Sequence, residues 1–199
     1  MKFAVALGFG FMLASASAAF AAEKCPEDFP TLHVSVTSDK AYAAWNLTHG
    51  CHAGTRDGYP IPDRSCTPGA YNATVTVAKL KSSAFKTGCL RNKATSAKKK
   101  ETTYGAYSIA KPADNREPHM VCELDHLVPL ELGGADTLDN IWPECGPARV
   151  QSAQRWWRIK DTVEGCLADR VKAGQMDLAV ARRKVAQDWT QFIATCGAN

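Results

Sequence analysis

The stretch CELDHLVPLELGGADTLDNIWPE, residues 122–144, decides how this chain is read. Met120-Val121 and Leu124 suggest a strand that runs into Asp125-His126. Leu127 to Leu132 leaves that strand, Gly133-Gly134 turns the chain, and Asn140-Ile141-Trp142 begins the return. A helix is expected within a few residues of Pro143. Strand, wide loop, strand and helix make a compact ββα unit. It sets the end of the first strand against the helix, so that side chains from both converge on one ion.

The residue types in this unit suit phosphodiester hydrolysis. A neutral imidazole, with a solution pKa of ~6.5, can take a proton from water near neutral pH, which makes His126 a candidate general base. The oxygens of Asp125 suit a hard cation such as Mg²⁺. Such an ion can hold a non-bridging phosphate oxygen and stabilise charge developing on the leaving oxygen. Asn140 can tie the loop through backbone hydrogen bonds and so fix the orientation of His126.

The run D-H-L-V-P-L-E-L-G-G followed by D-N-I-W-P resembles the HNH (ββα-metal) endonucleases, closest to the bacterial and phage branch with a DHLIPLELGG…NLWP core. The similarity extends upstream through YGAYSIA and downstream through KDTVEGCL and AVARRKVAQDW, so it covers residues 67–193. The resemblance implies an α+β fold built on a ββα-metal core with additional helices. It implies Asp125 as metal ligand, His126 as general base and Asn140 as loop-positioning residue. The family's usual His or Asn on the helix has no counterpart among Gln154, Lys160, Asp161 and Glu164. Asp161 or Glu164 is expected to complete an oxygen-rich site for a divalent ion. Mg²⁺ is the first candidate, with Mn²⁺, Ca²⁺ and Zn²⁺ left open. Lys160 and Arg158 on the helix, and the run Lys98-Lys99-Lys100, are the candidate phosphate contacts.

The whole chain agrees with an exported protein. Met1-Lys2, an apolar stretch from Phe3 to Leu13 and Ala19-Phe20-Ala21 have the pattern of a secretory signal cleaved near Ala21-Ala22. The apolar part falls short of the ~20 residues a membrane span needs. Roughly 180 residues then remain, enough for one domain with a sizeable core. The formal charge is +4, one less once Lys2 is removed, and this alone does not argue for nucleic acid. The eight cysteines, at 25, 51, 66, 89, 122, 145, 166 and 196, read as up to four disulfides in an oxidising compartment, the bacterial periplasm or the exterior. No C-x-x-C occurs, which weighs against zinc, and the number of possible pairings leaves connectivity open.

Residues 22–66 read as an irregular, cysteine-containing region forming one unit with residues 67–199. Leu32, Val34 and Val36 alternate as a half-buried strand would. GTRDGYPIPDRS, between Cys51 and Cys66, reads as irregular and closable by a bridge between them. His49, His52 and His119 read as loop histidines. A short helix is expected to enter at Thr74, and Tyr104 and Tyr107 are expected in the core. Val150, Ala153, Trp157, Val163, Leu167 and Val171 mark a long helix that ends at Gly174. Asp177 then caps a second helix with Leu178, Ala181, Val185, Trp189 and Phe192 on one face. Cys166 and Cys196 could join the two. Cys122 and Cys145 bracket the central motif and are expected to anchor it to the rest of the fold.

Two function classes follow. One is an exported, metal-dependent endonuclease acting on DNA or RNA with little sequence preference; as a toxin it would have an immunity or inhibitor protein as partner. The other is a catalytically degenerate HNH-fold module that binds nucleic acid or protein without cleaving. A serine hydrolase is disfavoured, because no G-x-S-x-G is present.

Overall fold

A computed structural model describes residues 25, 50–91, 101–115, 120–146 and 156–198. The expected signal segment, the strand around Leu32–Val36, His49, Lys98 to Lys100, His119, Val150, Ala153 and Gln154 lie outside the described residues. Among the described residues the fold is mixed α+β, with two small two-stranded antiparallel sheets and four disulfides.

The first sheet corrects the irregular reading of GTRDGYPIPDRS. Strand β1, Gly54–Arg56, pairs with β2, Tyr59–Ile61, around Asp57-Gly58. Both turn residues have positive φ, 51° and 86°, which is the backbone a two-residue Asp-Gly hairpin turn requires. Cys51–Cys66 closes this segment, as its spacing suggested. The hairpin is tied to the C-terminal end of the chain, because the indole N–H of Trp189 donates to Pro60 O at 2.9 Å.

Helix α1, Val77–Lys81, starts later than expected. Asn72 Oδ1 takes the N–H and hydroxyl of Thr74, so Thr76 becomes the N-cap. Helix α2, Thr102–Ala106, carries Tyr104 into the core, and Tyr107 follows it there. Cys25–Cys89 links the start of the described chain to the turn between α1 and α2.

Strand β3, Cys122–His126, pairs with β4, Ile141–Cys145, in unbroken register from Cys122↔Cys145 to His126↔Ile141. The two cysteines are therefore bonded to each other, with Cα atoms 4.0 Å apart. This corrects the expectation that they anchor the motif elsewhere: the bridge staples the open end of its own hairpin. The wide loop between the strands is packed rather than free, and Leu127, Val128, Leu132 and Leu138 are buried. At Gly134 a β-carbon would stand 1.8 Å from Val128 O, so the loop's own backbone occupies the space a side chain would need.

Helix α3, Trp156–Lys172, buries Trp157, Val163, Leu167 and Val171 and ends near Gly174, which has φ 74°. Helix α4, Leu178–Gln187, is capped by Asp177, whose Oδ1 accepts from Val180 N at 2.9 Å. The expected apolar face is buried, but the helix stops at Asp188, which turns extended and caps Thr190. Trp189 and Phe192 lie in a following 3-10 turn. Cys166–Cys196 forms, joining α3 to a short last helix, α5, Ile193–Cys196.

Candidate functional site

The end of β3, the wide loop and α3 meet at a cavity of about 250 Å³, whose walls include Glu123, Asp125, His126, Glu131, Asp161 and Glu164. Successive side chains of a strand point to opposite faces, so Asp125 and His126 would normally part company. They share this cavity because His126 is the last residue of β3, where the chain turns into the loop.

Three sets of polar contacts fix the arrangement. His126 is buried, at 8% exposure, and its Nε2 lies 2.7 Å from Oδ1 of the still more deeply buried Asp136. A proton on Nε2 is donated to that carboxylate, which leaves Nδ1 as the nitrogen that can accept one. Asn140 is fully buried. Its Oδ1 accepts from Val128 N at 2.8 Å, and its amide donates to Val128 O and Ala135 O, each at 2.9 Å. It clamps the two sides of the loop on which Asp136 sits.

The third set centres on Lys160 of α3, which is 1% exposed. Its Nζ donates to His126 O at 2.9 Å and to Glu164 Oε1, and forms an ion pair with Asp125 Oδ2 at 2.6 Å. The Asp125 contact acts first through charge, with a hydrogen bond adding to it. Burial pulls the ammonium down, but Asp125, Glu164 and Glu144 outweigh it and hold it above the usual lysine range. Lys160 is thus a permanent internal cation. The expectation of a phosphate contact at this residue is corrected, because its head is enclosed and already has three partners.

Carboxylates outnumber that cation. Glu123 is pushed up to about 7, first by burial and then by Asp125 and Asp161. Glu164 rises first through burial, and Lys160 only partly offsets this. Asp161 lies on the exposed side of α3 but is crowded on its cavity side, and partial desolvation followed by Asp125 raises it. Glu144, opposite Glu123 across the hairpin, is completely buried with neither oxygen hydrogen-bonded. Burial, then Asp125, pushes it far above the carboxylate range and favours its neutral acid.

The divalent ion implied by the resemblance can be tested against this donor set. Among the described residues, no group of three or more His, Cys, Asp and Glu is placed to hold a metal, so there is no protein cage. Glu164, expected as a ligand, is instead engaged with Lys160. Mg²⁺, however, is typically bound through one or two carboxylates, with water and substrate phosphate oxygens completing its shell. Asp125, with Asp161 on the same cavity wall, meets that requirement in chemistry.

Asp125, His126, Asp161 and Glu164, expected from the sequence, line one cavity, and Asn140 holds the loop behind it. Asp136 and Glu144 join them without a cue in the local sequence. Asp136 lies ten residues beyond His126 and is buried, next to Ala135, whose carbonyl the Asn140 amide holds. Arg158 is on the exposed side of α3, and Arg91, which was not singled out, lines the cavity. The chain matches no family model, no curated protein and no solved structure.

Proposed function

We propose that this chain is an exported HNH-type endonuclease that hydrolyses phosphodiester bonds of DNA, or of RNA, with little sequence preference and with a divalent metal ion. The observation that carries the reading is the His126–Asp136 pair on the wall of a cavity that also presents Asp125. A buried carboxylate on one imidazole nitrogen fixes the ring's tautomer and orientation, and it stabilises the imidazolium that forms when the other nitrogen takes a proton.

In this reading Asp136 holds the ring, and His126 Nδ1 takes the proton of the attacking water. Asn140 keeps the loop, and with it Asp136, at a fixed distance from β3. Asp125 would hold the ion, with Asp161 beside it. Bound there, Mg²⁺ would polarise the phosphate and stabilise the leaving oxygen. In this reading Arg91, which lines the cavity, and Arg158, on the exposed side of α3, contact the substrate backbone, and such contacts read little sequence. Four disulfides with no free cysteine support export to an oxidising compartment. Among the described residues no helix is long and apolar enough to cross a membrane.

The test is digestion of supercoiled plasmid and of RNA by the oxidised protein, in Mg²⁺ and in EDTA, with His126→Ala alongside. Cleavage that needs Mg²⁺ and His126 is expected, and undiminished cleavage by the variant would remove His126 from the mechanism. One observation favours a second reading. The helix cation Lys160 occupies the inner side of Asp125 where a helix-borne ligand would reach, as a degenerate site would allow. A binding module of this kind would retain nucleic acid in a salt-dependent way and cleave it in no divalent metal.

A further inference from the structure

We propose that Lys160 is a built-in cation that positions Asp125 and His126 as one unit and competes with the divalent ion for the Asp125 carboxylate. The positioning half follows from what one ammonium touches. It holds the side chain of residue 125 and the backbone carbonyl of residue 126, from a helix 34 residues further along the chain. The Asp125 carboxylate and the backbone of the next residue, at the end of β3, are thereby tied to one point on α3. A lysine buried for packing alone would cost its desolvation for nothing. Here every described contact of the head lies on the cavity's inner wall.

The competing half follows from charge. A cation at 2.6 Å from Asp125 Oδ2 offsets the carboxylate that would attract a divalent ion, and it takes up Glu164 as well. Removing it frees two carboxylates beside the same cavity. The consequence is opposite signs for two quantities that ordinary structural damage lowers together. Without Lys160 the site should bind a divalent ion more tightly and work less well.

The metal half stands apart from the nuclease reading; the turnover half rests on it. Mn²⁺ titration by calorimetry, without nucleic acid, is compared for the wild-type protein and Lys160→Met, with near-UV circular dichroism as the folding control. The expected result is Mn²⁺ bound about tenfold more tightly by the variant, from loss of a like charge at contact distance. Its cleavage of plasmid should fall about a hundredfold, as expected for misplacement of reacting groups. A folded Lys160→Met that binds Mn²⁺ no better than wild type, including the case in which neither binds, overturns the proposal.

If Lys160→Met does not fold, lysine-ammonium NMR on nitrogen-labelled wild-type protein decides instead. The buried ammonium should appear as a slowly exchanging signal that moves on adding Mg²⁺ while surface lysines do not. A signal unmoved by saturating Mg²⁺ overturns the proposal. If the wild-type protein binds Mn²⁺ but cleaves nothing, the nuclease reading fails, and the titration still decides the role of Lys160.

Discussion

The Nε2 atom of His126 lies 2.7 Å from Oδ1 of Asp136, and both groups are buried. This pairing gives the imidazole a fixed orientation, and it separates the effects of two substitutions. His126→Ala should lower cleavage about 100- to 10,000-fold, the usual worth of a general base. Asp136→Ala should lower it about 10- to 100-fold, the cost of losing an orienting partner. Initial rates on plasmid, with near-UV circular dichroism as folding control, distinguish the two. Equal loss in both variants would mean that the pair acts only as a unit.

Asn140 should matter for stability before it matters for chemistry. Its amide makes three hydrogen bonds to the loop backbone from a fully buried position. Asn140→Ala leaves those backbone groups unpaired and should cost about 3 kcal/mol or more. That corresponds to a fall of roughly 10 °C in Tm for a chain of this size. Asn140→Asp keeps the acceptor but can donate to neither carbonyl, so thermal unfolding should place it closer to the alanine variant than to wild type.

Gly134 and Gly174 make a matched pair for the loop. A β-carbon at Gly134 would meet Val128 O at 1.8 Å, whereas at Gly174 nothing lies within 4 Å. Gly174→Ala should therefore cost only its left-handed backbone, about 1–2 kcal/mol. Gly134→Ala should yield protein without the native loop, seen as loss of near-UV signal or of soluble expression.

Stability should rise, not fall, as the pH drops from about 7.5 to 5. Glu123 is raised to about 7 in the folded state from an ordinary 4.5, by burial first and Asp125 second. Between those values the folded chain holds more protons than the unfolded one. Its stability contribution is therefore full below the unfolded pKa and is lost as pH climbs through the folded one. Glu144 is shifted in the same direction. Asp63 is lowered: burial raises it, but hydrogen bonds from Ser65 and His52 N–H outweigh this, so its contribution is lost only at more acidic pH. Scanning calorimetry in EDTA should show Tm higher at pH 5 than at pH 7.5. Mg²⁺ at the cavity should shrink the difference by neutralising the same carboxylates.

Different kinds of signal account for what could be read in advance. The hairpin β3–β4 and helix α4 were legible because their cues are local: an apolar run into Asp125-His126, the Gly133-Gly134 turn, and Asp177 ahead of a periodic apolar face. The β1–β2 hairpin was legible in principle through Asp57-Gly58, but the prolines and short strands around it masked the turn. Lys160 was not legible, since lysine and glutamate four apart on a helix look alike whether solvated or enclosed. Only the packing of α3 against the end of β3 separates the two cases. The mutual pairing of Cys122 and Cys145 depends on strand register, which spacing along the chain does not reveal.

The Cys122–Cys145 bridge has a consequence for how the protein would respond to a protease. It encloses the whole segment bearing Asp125, His126, Asp136 and Asn140 in one covalent ring. A single cut anywhere in that segment opens the ring without releasing either half, and the segment holds no lysine or arginine for a trypsin-like enzyme. Hydrogen bonds of the hairpin and the Asn140 clamp then hold the cut ends in place. A nicked molecule should migrate as an intact chain until it is reduced, and should keep whatever activity the intact ring supports.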